Sequence, residues 1–387
     1  MRIIINIATC IALLMACKQA RAELNLNFSG YLNDFPVLQI LPQNSFVTEN
    51  QLDSRDLFIN LARARFTPAL ELSNNARFEL HYEINMLYSR IANPFYGTEG
   101  MTNRQAISLN WLLFQEGNLI ARHFIDRLYY KHTFDDFEIT LGRQRISWGV
   151  GRIWQPTDLF NPINPANFSK FEKDGADAIS GKLFFGNFTD LELVLNLRQR
   201  LDQTNYGARF RTNLYEFDLS AMAGKYDNRI VVGADFAGNL FNAGIRGEAI
   251  LSFNQNHLDS NYIRFIIGAD YQFSSEFYAL LEYQFNGEGK TCPECYEIMR
   301  LIKGEILNLS QNYITTQCHY LVHPLVSLTA GAMLNLNDKS GYTNIGAEWA
   351  TLSNLSLTLG IMLTWGNDKS EFWYYPTSLY LNAKFFF

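Results

Sequence analysis

Few side chains in the sequence have a type and spacing that could support chemistry. Cys292 and Cys295 form a Cys-x-x-Cys pair, but a structural zinc site needs a second pair of ligands. A local disulfide is therefore the favoured interpretation, with a metal site as the weaker alternative. His319 and His323 have no nucleophile at a spacing that suits hydrolysis.

Sequence motifs of the common enzyme classes are absent. The chain contains no Gly-x-Ser-x-Gly elbow, no phosphate-binding loop, no dinucleotide fingerprint and no metalloprotease motif. Its net charge of -6 excludes a broad basic surface for nucleic acid. We therefore expect no catalysis, no cofactor, no metal and no nucleic-acid partner.

The first 22 residues are typical of a secretory signal peptide. Arg2 supplies the positive charge, an apolar stretch follows, and Ala20-Arg21-Ala22 forms a small-x-small cleavage site. The mature chain is expected to be exported and to consist of residues 23–387. A lipoprotein processing site at Cys17 is the alternative.

Beyond this leader, apolar and polar residues alternate in one short segment after another. The clearest segments are 77–86, 191–198, 215–224, 264–273, 277–285, 326–336, 355–365 and 379–387. Period-two alternation predicts β-strands with one apolar face. About 18 such strands are expected, many near the roughly 9 to 11 residues with which a tilted strand crosses a bilayer. No later stretch approaches the roughly 18 apolar residues of a spanning helix.

Short turns and longer segments alternate between these strands. The predicted turns are Gly186-Asn187, Thr212-Asn213, Ser274-Ser275-Glu276, His323-Pro324 and Ser353-Asn354, and the longest segments are 33–56, 89–123, 148–177, 287–310 and 366–377. Because the long segments share one side of the predicted sheet, that side should face the exterior and the other the periplasm. A soluble β-sandwich shares the alternation but does not explain the one-sided loops. Within 89–123, the run Ile107–Trp111 predicts an extra hairpin or a short helix.

Aromatic residues on the predicted apolar faces collect at two levels. Those expected near the periplasmic end are Tyr215, Phe236, Phe273, Phe277, Trp349, Phe385 and Phe387, and those near the opposite end are Tyr283, Phe285, Tyr342 and Trp365. Two aromatic belts about 25 Å apart are typical of membrane interfaces. The predicted fold is therefore all-β: a transmembrane antiparallel up-and-down barrel of about 18 strands, with 16 as the alternative.

Two segments resemble those of known outer-membrane barrels. The alternating last strand ends in Phe387, which resembles the signal read by the barrel-assembly machinery. The segment Leu141–Gly149, with the sequence Leu-Gly-Arg-Gln-Arg-Ile-Ser-Trp-Gly, resembles the Gly-Arg-Gln strand of porin-like barrels in the alginate-export and related families. The resemblance implies a location in the cell outer membrane, with the lipid bilayer and the assembly machinery as partners. Whether the chain forms homo-oligomers stays open.

The polar faces of the strands are expected to line a lumen wide enough to hold water. Basic and acidic residues are nearly balanced there. The predicted pore-lining residues on the strands are Arg198, Arg209, Arg211, Glu216, Asp218, Arg246 and Arg264. Most charges are expected to form cross-strand ion pairs, each worth roughly 0.2 to 1 kcal/mol. An unpaired minority would set ion preference.

Arg143 and Arg145 are the main candidates for that role. Strict alternation from Leu141 would place both in lipid, at roughly 2 to 4 kcal/mol each at the midplane. A β-bulge at Gly142 would turn both into the lumen, because glycine readily adopts the backbone conformation that a bulge requires. The alternative is that they pair with Glu138 or with a loop acid.

The segment from Gly149 to Pro165 contains three prolines, aromatic residues and turn formers, which favour a folded loop. We expect it to fold into the lumen, with capping of the outer rim as the alternative. Its residues Arg152, Trp154 and Asp158 are predicted to line the constriction.

The expected function is passive or weakly selective diffusion of small hydrophilic solutes through an outer-membrane channel. One alternative is a structural or binding barrel whose lumen is blocked and whose outer loops contact partners. Another is a polymer-export channel. Export of a polyanion needs a strongly positive lumen, which the near balance of charges disfavours.

Overall fold

A computed structural model describes residues 25–42, 55–90, 104–161, 172–254, 260–302 and 306–387. The predicted leader, including Cys17, lies outside these ranges. The strands are β1 (Asn25–Asn27), β2 (Gly30–Ile40), β3 (Asp56–Phe66), β4 (Ala69–Ser73), β5 (Ala76–Ser89), β6 (Asn110–Glu116), β7 (Leu119–Thr133), β8 (Phe137–Gln144), β9 (Ala176–Phe184), β10 (Asp190–Asn196), β11 (Asn205–Leu214), β12 (Phe217–Tyr226), β13 (Arg229–Leu240), β14 (Ala243–Asn254), β15 (Tyr262–Gln272), β16 (Phe277–Asn286), β17 (Asn312–His323), β18 (Val326–Asn335), β19 (Gly341–Leu352), β20 (Leu355–Trp365) and β21 (Thr377–Phe386).

The helices are short and lie in the connections. They are α1 (Ile298–Ile302) and the 3-10 helices Leu201–Gln203, Pro293–Cys295 and Glu371–Tyr374. Within the described ranges, no helix has the length and apolar character to span a membrane.

Eighteen of the strands form a closed antiparallel barrel, which confirms the predicted fold and strand number. Successive wall strands pair with each other, and β2 closes the barrel by pairing with both β3 and β21. At this seam the backbone N–H of Gly30 donates to the carbonyl of Phe387 at 2.9 Å. The remaining three strands are additions: β4 continues β3 and pairs with β5, β1 pairs with β4, and β6 pairs with β7.

Side chains alternate between the lumen and the outer face, as the sequence pattern predicts. On β2, Tyr31, Asn33 and Phe35 are buried inside the barrel, whereas Leu32 and Leu38 are 47% and 43% exposed on the outer face. Successive side chains of a β-strand point to opposite faces of the sheet in this way. Apart from Asp34, the exposed outer residues of β2 are apolar, as expected of a face that meets lipid.

One end of the barrel has tight turns, and the predicted turn at Thr212-Asn213 is wrong. Strand β11 continues to Leu214, and the turn consists of Tyr215 and Glu216, with φ of 52° and 66°. Two central residues with positive φ match the twist of a two-residue hairpin. Glu216, predicted to line the pore, therefore lies in a periplasmic turn.

The segment with Ile107–Trp111 forms a hairpin, which decides between the two predicted alternatives. Strand β6 pairs with the outer part of β7, from Leu119 to Phe124. Strand β8 pairs with β7 only from Leu128 towards the periplasm and ends at Gln144. Strand β6 thus takes the place beside β7 that β8 leaves.

The predicted bulge at Gly142 is wrong. Pairing with β7 and with β9 continues one residue to one through this position. Gly142 instead has a φ of 119°, and a Cβ there would lie 2.3 Å from the carbonyl oxygen of Leu128. Glycine is therefore required by close backbone approach and by positive φ, without an inserted residue.

Arg143 is buried within the wall, at the level where β7 stops pairing with β8 and begins to pair with β6. Its guanidinium bonds both carboxylate oxygens of Asp177 at 2.7 and 3.0 Å. It also donates to the carbonyl of Ile125 at 2.9 Å and to that of Ile107. Arg143 thereby donates hydrogen bonds to backbone carbonyls that have no strand-pairing partner where β7 changes from one neighbour to the other.

Candidate functional site

The chain after β8 turns into the barrel, and residues 145–161 are called the inward loop below. Trp148 and Phe160, near its two ends, are fully buried and pack edge to face with ring centroids 5.1 Å apart. They join Ile146 and lumen-facing side chains of β9 to β14 in one apolar cluster that contains Ala176, Ala178, Val194, Met222, Tyr226, Val231 and Ile250. Burial of this apolar surface holds the base of the loop against one wall.

Glu248 on β14 holds the first part of the loop by its backbone. One carboxylate oxygen accepts hydrogen bonds from the N–H groups of Val150 and Gly151. The other accepts from the N–H of Thr157 at 3.1 Å and from its hydroxyl at 2.7 Å. Glu248 is 2% exposed. Four donors compensate the loss of water that burial of a carboxylate entails.

Glu282 on β16 repeats this arrangement at the tip of the loop. One of its oxygens accepts from the N–H groups of Arg152 at 3.1 Å and Ile153 at 3.4 Å, and the other accepts from the N–H of Trp154 at 2.7 Å. The wall therefore recognises the loop through its main chain.

Two basic residues complete the attachment. Arg246 on β14 donates to the carbonyl of Val150 at 3.2 Å and forms an ion pair with Asp270. Lys173, on the return path to β9, pairs with Asp158, which is 1% exposed. The ion pair between Lys173 and Asp158 holds the end of the inward loop against the segment that leads to β9.

The loop tip also meets the connections at the outer end of the barrel. Trp154 is 3% exposed, and its ring centroid lies 6.1 Å from that of Tyr313. Both belong to an apolar cluster with Ile266, Met333 and Phe372. Since Phe372 lies between β20 and β21, the cluster joins the inward loop to an outer connection.

Glu371, next to this cluster, links three outer connections. Its carboxylate accepts hydrogen bonds from the N–H of Leu309 at 2.9 Å, the hydroxyl of Tyr313 at 2.5 Å and the amide of Asn335 at 2.9 Å. Its own N–H donates to Asp338 at 2.8 Å. Burial raises the pKa of Glu371 to about 7, and the nearby Asp338 acts in the same direction.

The wall formed by β3, β5 and β7 carries a compact ionic cluster. Arg65 donates to Glu83 at 2.7 Å, to Asp126 at 2.5 Å and to Nδ1 of His81 at 2.9 Å, and pairs with Glu172 at 3.0 Å. Ligand atoms of His81, Asp126 and Glu172 lie within 4.8 Å of one another, a spacing that could hold a metal ion. The guanidinium of Arg65 lies among them and supplies the positive charge.

The lumen-facing side of β17 to β21 has a different character. It presents uncharged polar and small residues, which include Thr315, Gln317, Thr329, Gly331, Asn344, Gly346, Thr358 and Ser378. A cavity of about 160 Å³ lies between this wall and Ile153 at the loop tip. The lumen thus has an anchored loop on one side and, on the other, a wall of mainly uncharged polar and small residues.

The predicted constriction residues fall into different environments. Arg152 and Trp154 are at the loop tip, but Trp154 is buried. The Arg152 side chain is exposed and has neither a hydrogen bond nor an ion pair to the described part of the chain. Arg145 is likewise exposed, and Arg143 lies within the wall rather than in the lumen.

The other predicted pore-lining arginines have acidic partners. The pairs are Arg198 with Asp227, Arg209 with Asp235, Arg211 with Asp190, Arg246 with Asp270 and Arg264 with Glu288. Asp218 accepts a hydrogen bond from Asn213 at 2.9 Å. These pairs cancel much of the charge along the wall.

Cys292 and Cys295 are joined by a disulfide, with Cα atoms 5.3 Å apart, in the connection between β16 and β17. Cys318 on β17 is a free thiol. A zinc site at Cys292 and Cys295 would require both thiolates, so the disulfide leaves them unable to bind metal.

No protein-family model matches the sequence, and no curated protein matches it. Solved structures are similar in fold. OccAB1 of Acinetobacter baumannii has 10% identity and a TM-score of 0.58 over 95% of this chain and 98% of that one. OccD3 (OpdP) of Pseudomonas aeruginosa has 7% identity and a TM-score of 0.53, with 95% and 92% covered. A mutant of OccD1 (OprD) has 8% identity and a TM-score of 0.55, with 95% and 97% covered.

The barrel has a porin-like fold. At such low sequence identity the likeness concerns the fold alone. The role of any particular residue must therefore be argued from the contacts that it makes in this chain. In this chain, Glu248 and Glu282 attach the inward loop to the barrel wall.

Replacement of Glu248 by alanine should release the inward loop. Hydrogen bonds to a charged group are worth about 1.5 to 3 kcal/mol each, so loss of even one should speed exchange of the bound amides about tenfold or more. Hydrogen exchange of the peptide that contains Val150, Gly151 and Thr157 measures this effect. Glu348→Ala is the matched control, because Glu348 faces the lumen from β19 and has no hydrogen bond to a described residue. Equal protection in both variants would contradict the anchoring role.

The outer connections around Glu371 should be more stable at low pH. The pKa of Glu371 is higher in the folded state than in the unfolded state. Its contribution to the stability of these connections is therefore full below the unfolded-state pKa, roughly 4.3, and is lost as the pH rises through about 7. Amide exchange at Leu309, corrected for its intrinsic pH dependence, should therefore show decreasing protection from pH 5 to pH 8. In Glu371→Gln this decrease should disappear; if it persists unchanged, another group controls the loops.

Proposed function

We propose that the protein is an outer-membrane channel through which small hydrophilic solutes diffuse passively or with weak selectivity. The porin-like barrel, with its apolar outer face, supports the membrane location. The observation that carries the function is the inward loop, which Glu248 and Glu282 hold against the lumen wall by its main chain. An internal loop attached in this way narrows a water-filled barrel and defines a fixed aperture.

The loop tip supplies the charge that would act on a passing solute. Arg152 projects there as an exposed guanidinium, without a partner in the described part of the chain. The arginines on β10 to β15 named above are paired with acids, so their fields are largely cancelled. We therefore assign ion preference to Arg152, with Arg145 as a second exposed cation, and not to Arg143.

Single-channel recordings of the refolded mature protein under a salt gradient test this function. Steady conductance with a preference for anions is expected. A unit charge about 4 Å from an ion is worth about 1 kcal/mol in water, so Arg152→Ala should shift the anion-to-cation permeability ratio about fivefold towards cations.

Arg200→Ala is the control for this measurement. Arg200 is an exposed arginine in the outer connection between β10 and β11 and pairs with Asp202 at 2.8 Å. Its removal should leave the permeability ratio unchanged. If the folded barrel never conducts, the channel proposal is wrong and a binding barrel with a blocked lumen takes its place. If the barrel conducts but Arg152→Ala leaves the permeability ratio unchanged, Arg152 does not lie in the solute path.

Biogenesis and the absence of catalysis belong to the same proposal. Residues 1–22 would be removed as a signal peptide, and the C-terminal strand with Phe387 would be read by the barrel-assembly machinery. Phe387 packs its ring 5.8 Å from that of Phe28 at the barrel seam.

A passive channel needs no reaction chemistry, so we propose no enzymatic activity.

A further inference from the structure

The cavity of about 160 Å³ between the loop tip and the wall of β17 to β19 has an uncharged lining. Its side chains include those of Ile153, Gln317, Thr329, Tyr342 and Asn344, and no charged residue of the described ranges lines it. The volume is far larger than the roughly 10 to 15 Å³ that one water molecule needs. The cavity is therefore large enough to receive a small organic solute.

Polar groups in this lining keep hydrogen-bonding capacity that the wall itself does not use. The hydroxyl of Tyr380 donates to Oδ1 of Asn344 at 2.9 Å, which fixes the side-chain amide and leaves its Nδ2 without a hydrogen bond to a described residue. Gln317 is exposed, and its amide bonds no described residue. Thr315 is 5% exposed, and its hydroxyl oxygen also has no partner in the described part of the chain. The lining thus combines hydrogen-bond donors with acceptors.

A glycine keeps the space between the two amides open. On β18, Gly331 lies between Gln317 of β17 and Asn344 of β19. A Cβ at Gly331 would meet nothing closer than the carbonyl oxygen of Thr316 at 3.4 Å, so the position has room for a side chain. Ile153 from the loop tip adds apolar surface to the same cavity. Pockets for small molecules typically combine apolar surface with a few placed polar groups in this way.

We infer that this cavity binds uncharged solutes with many hydroxyl groups, such as sugars and polyols, on their way through the lumen. The inference rests on the proposed function, because a solute must enter the barrel to reach the cavity. An ion would lose water here without meeting an opposite charge. An apolar solute would leave the amides of Gln317 and Asn344 without partners, which is also unfavourable. A solute with many hydroxyl groups exchanges its hydrogen bonds with water for bonds to both amides.

Titration of the channel current with two uncharged solutes of similar size tests the inference. Mannitol carries hydroxyl groups along its whole chain, whereas tetraethylene glycol carries them only at its ends. Mannitol should reduce the ion current saturably, at a half-saturating concentration about fivefold or more below that of tetraethylene glycol. Equal effects of the two solutes would overturn the inference and leave the channel proposal intact. A folded barrel that conducts no ions in salt alone would instead overturn the proposed function, and this inference with it.

Variants of the lining locate the effect of mannitol in the cavity. Loss of one hydrogen bond between neutral groups weakens binding about twofold to tenfold, so Asn344→Leu and Gln317→Met should each raise the half-saturating concentration by that factor. Asn85→Leu is the matched control and should leave it unchanged, because Asn85 faces the lumen from β5 outside the cavity. Gly331→Leu fills the cavity and should remove the saturable effect, with heat-modifiable mobility as the check on folding. If folded Asn344→Leu and Gly331→Leu keep the original half-saturating concentration, mannitol binds elsewhere and the inference is wrong.

Discussion

Two buried carboxylates that accept hydrogen bonds from a loop backbone are the interaction on which the interior of this barrel depends. A loop in a wet lumen could bond to water and remain mobile, and nothing in its side chains alone would give it one position. Glu248 and Glu282 replace that water with fixed acceptors on a rigid wall. Because six of the seven donors are main-chain groups, the anchors leave most side chains of the loop unspecified. The anchors therefore separate the position of the loop from the side chains that it presents to solute.

The inward loop also imposes a requirement on the wall. Once the chain leaves β8 at Gln144, the outer part of β7 needs another partner, and β6 from the preceding connection provides it. Arg143 then bonds the carbonyls and the carboxylate that converge at this junction. Each residue of the Gly-Arg-Gln motif thus contributes to the wall. Gly142 permits close approach of the β7 backbone, and Arg143 joins β9 to the segment before β6. The Gln144 side chain accepts a hydrogen bond from Ser180 inside the barrel.

The sequence predicts the periodic parts of this structure and not its exceptions. Strand number, closure and the one-sided loops follow from alternation and turn spacing, which depend only on local residue types. The environment of Arg143 could not be predicted, because its partners Asp177 and Ile107 come from distant segments. Strict alternation continued past Arg145 would also turn Ile146 and Trp148 inward, and both are buried against the lumen wall at the base of the inward loop. The predicted bulge assumed that an outward arginine must meet lipid, whereas a loop covers it.

The substitution of β6 for β8 has a consequence for the exposed edge of β7. Near the periplasm, the edge of β7 away from β5 pairs with the strand that follows it in sequence, but near the exterior the same edge pairs with a strand that precedes it. The two levels of the cylinder thus have different strand orders. Shortening the connection that contains β6 would leave the lower ring intact and leave this edge of β7 unpaired above it. An unpaired strand edge can bind a strand of another chain, so the length of this connection is constrained by the need to cover that edge.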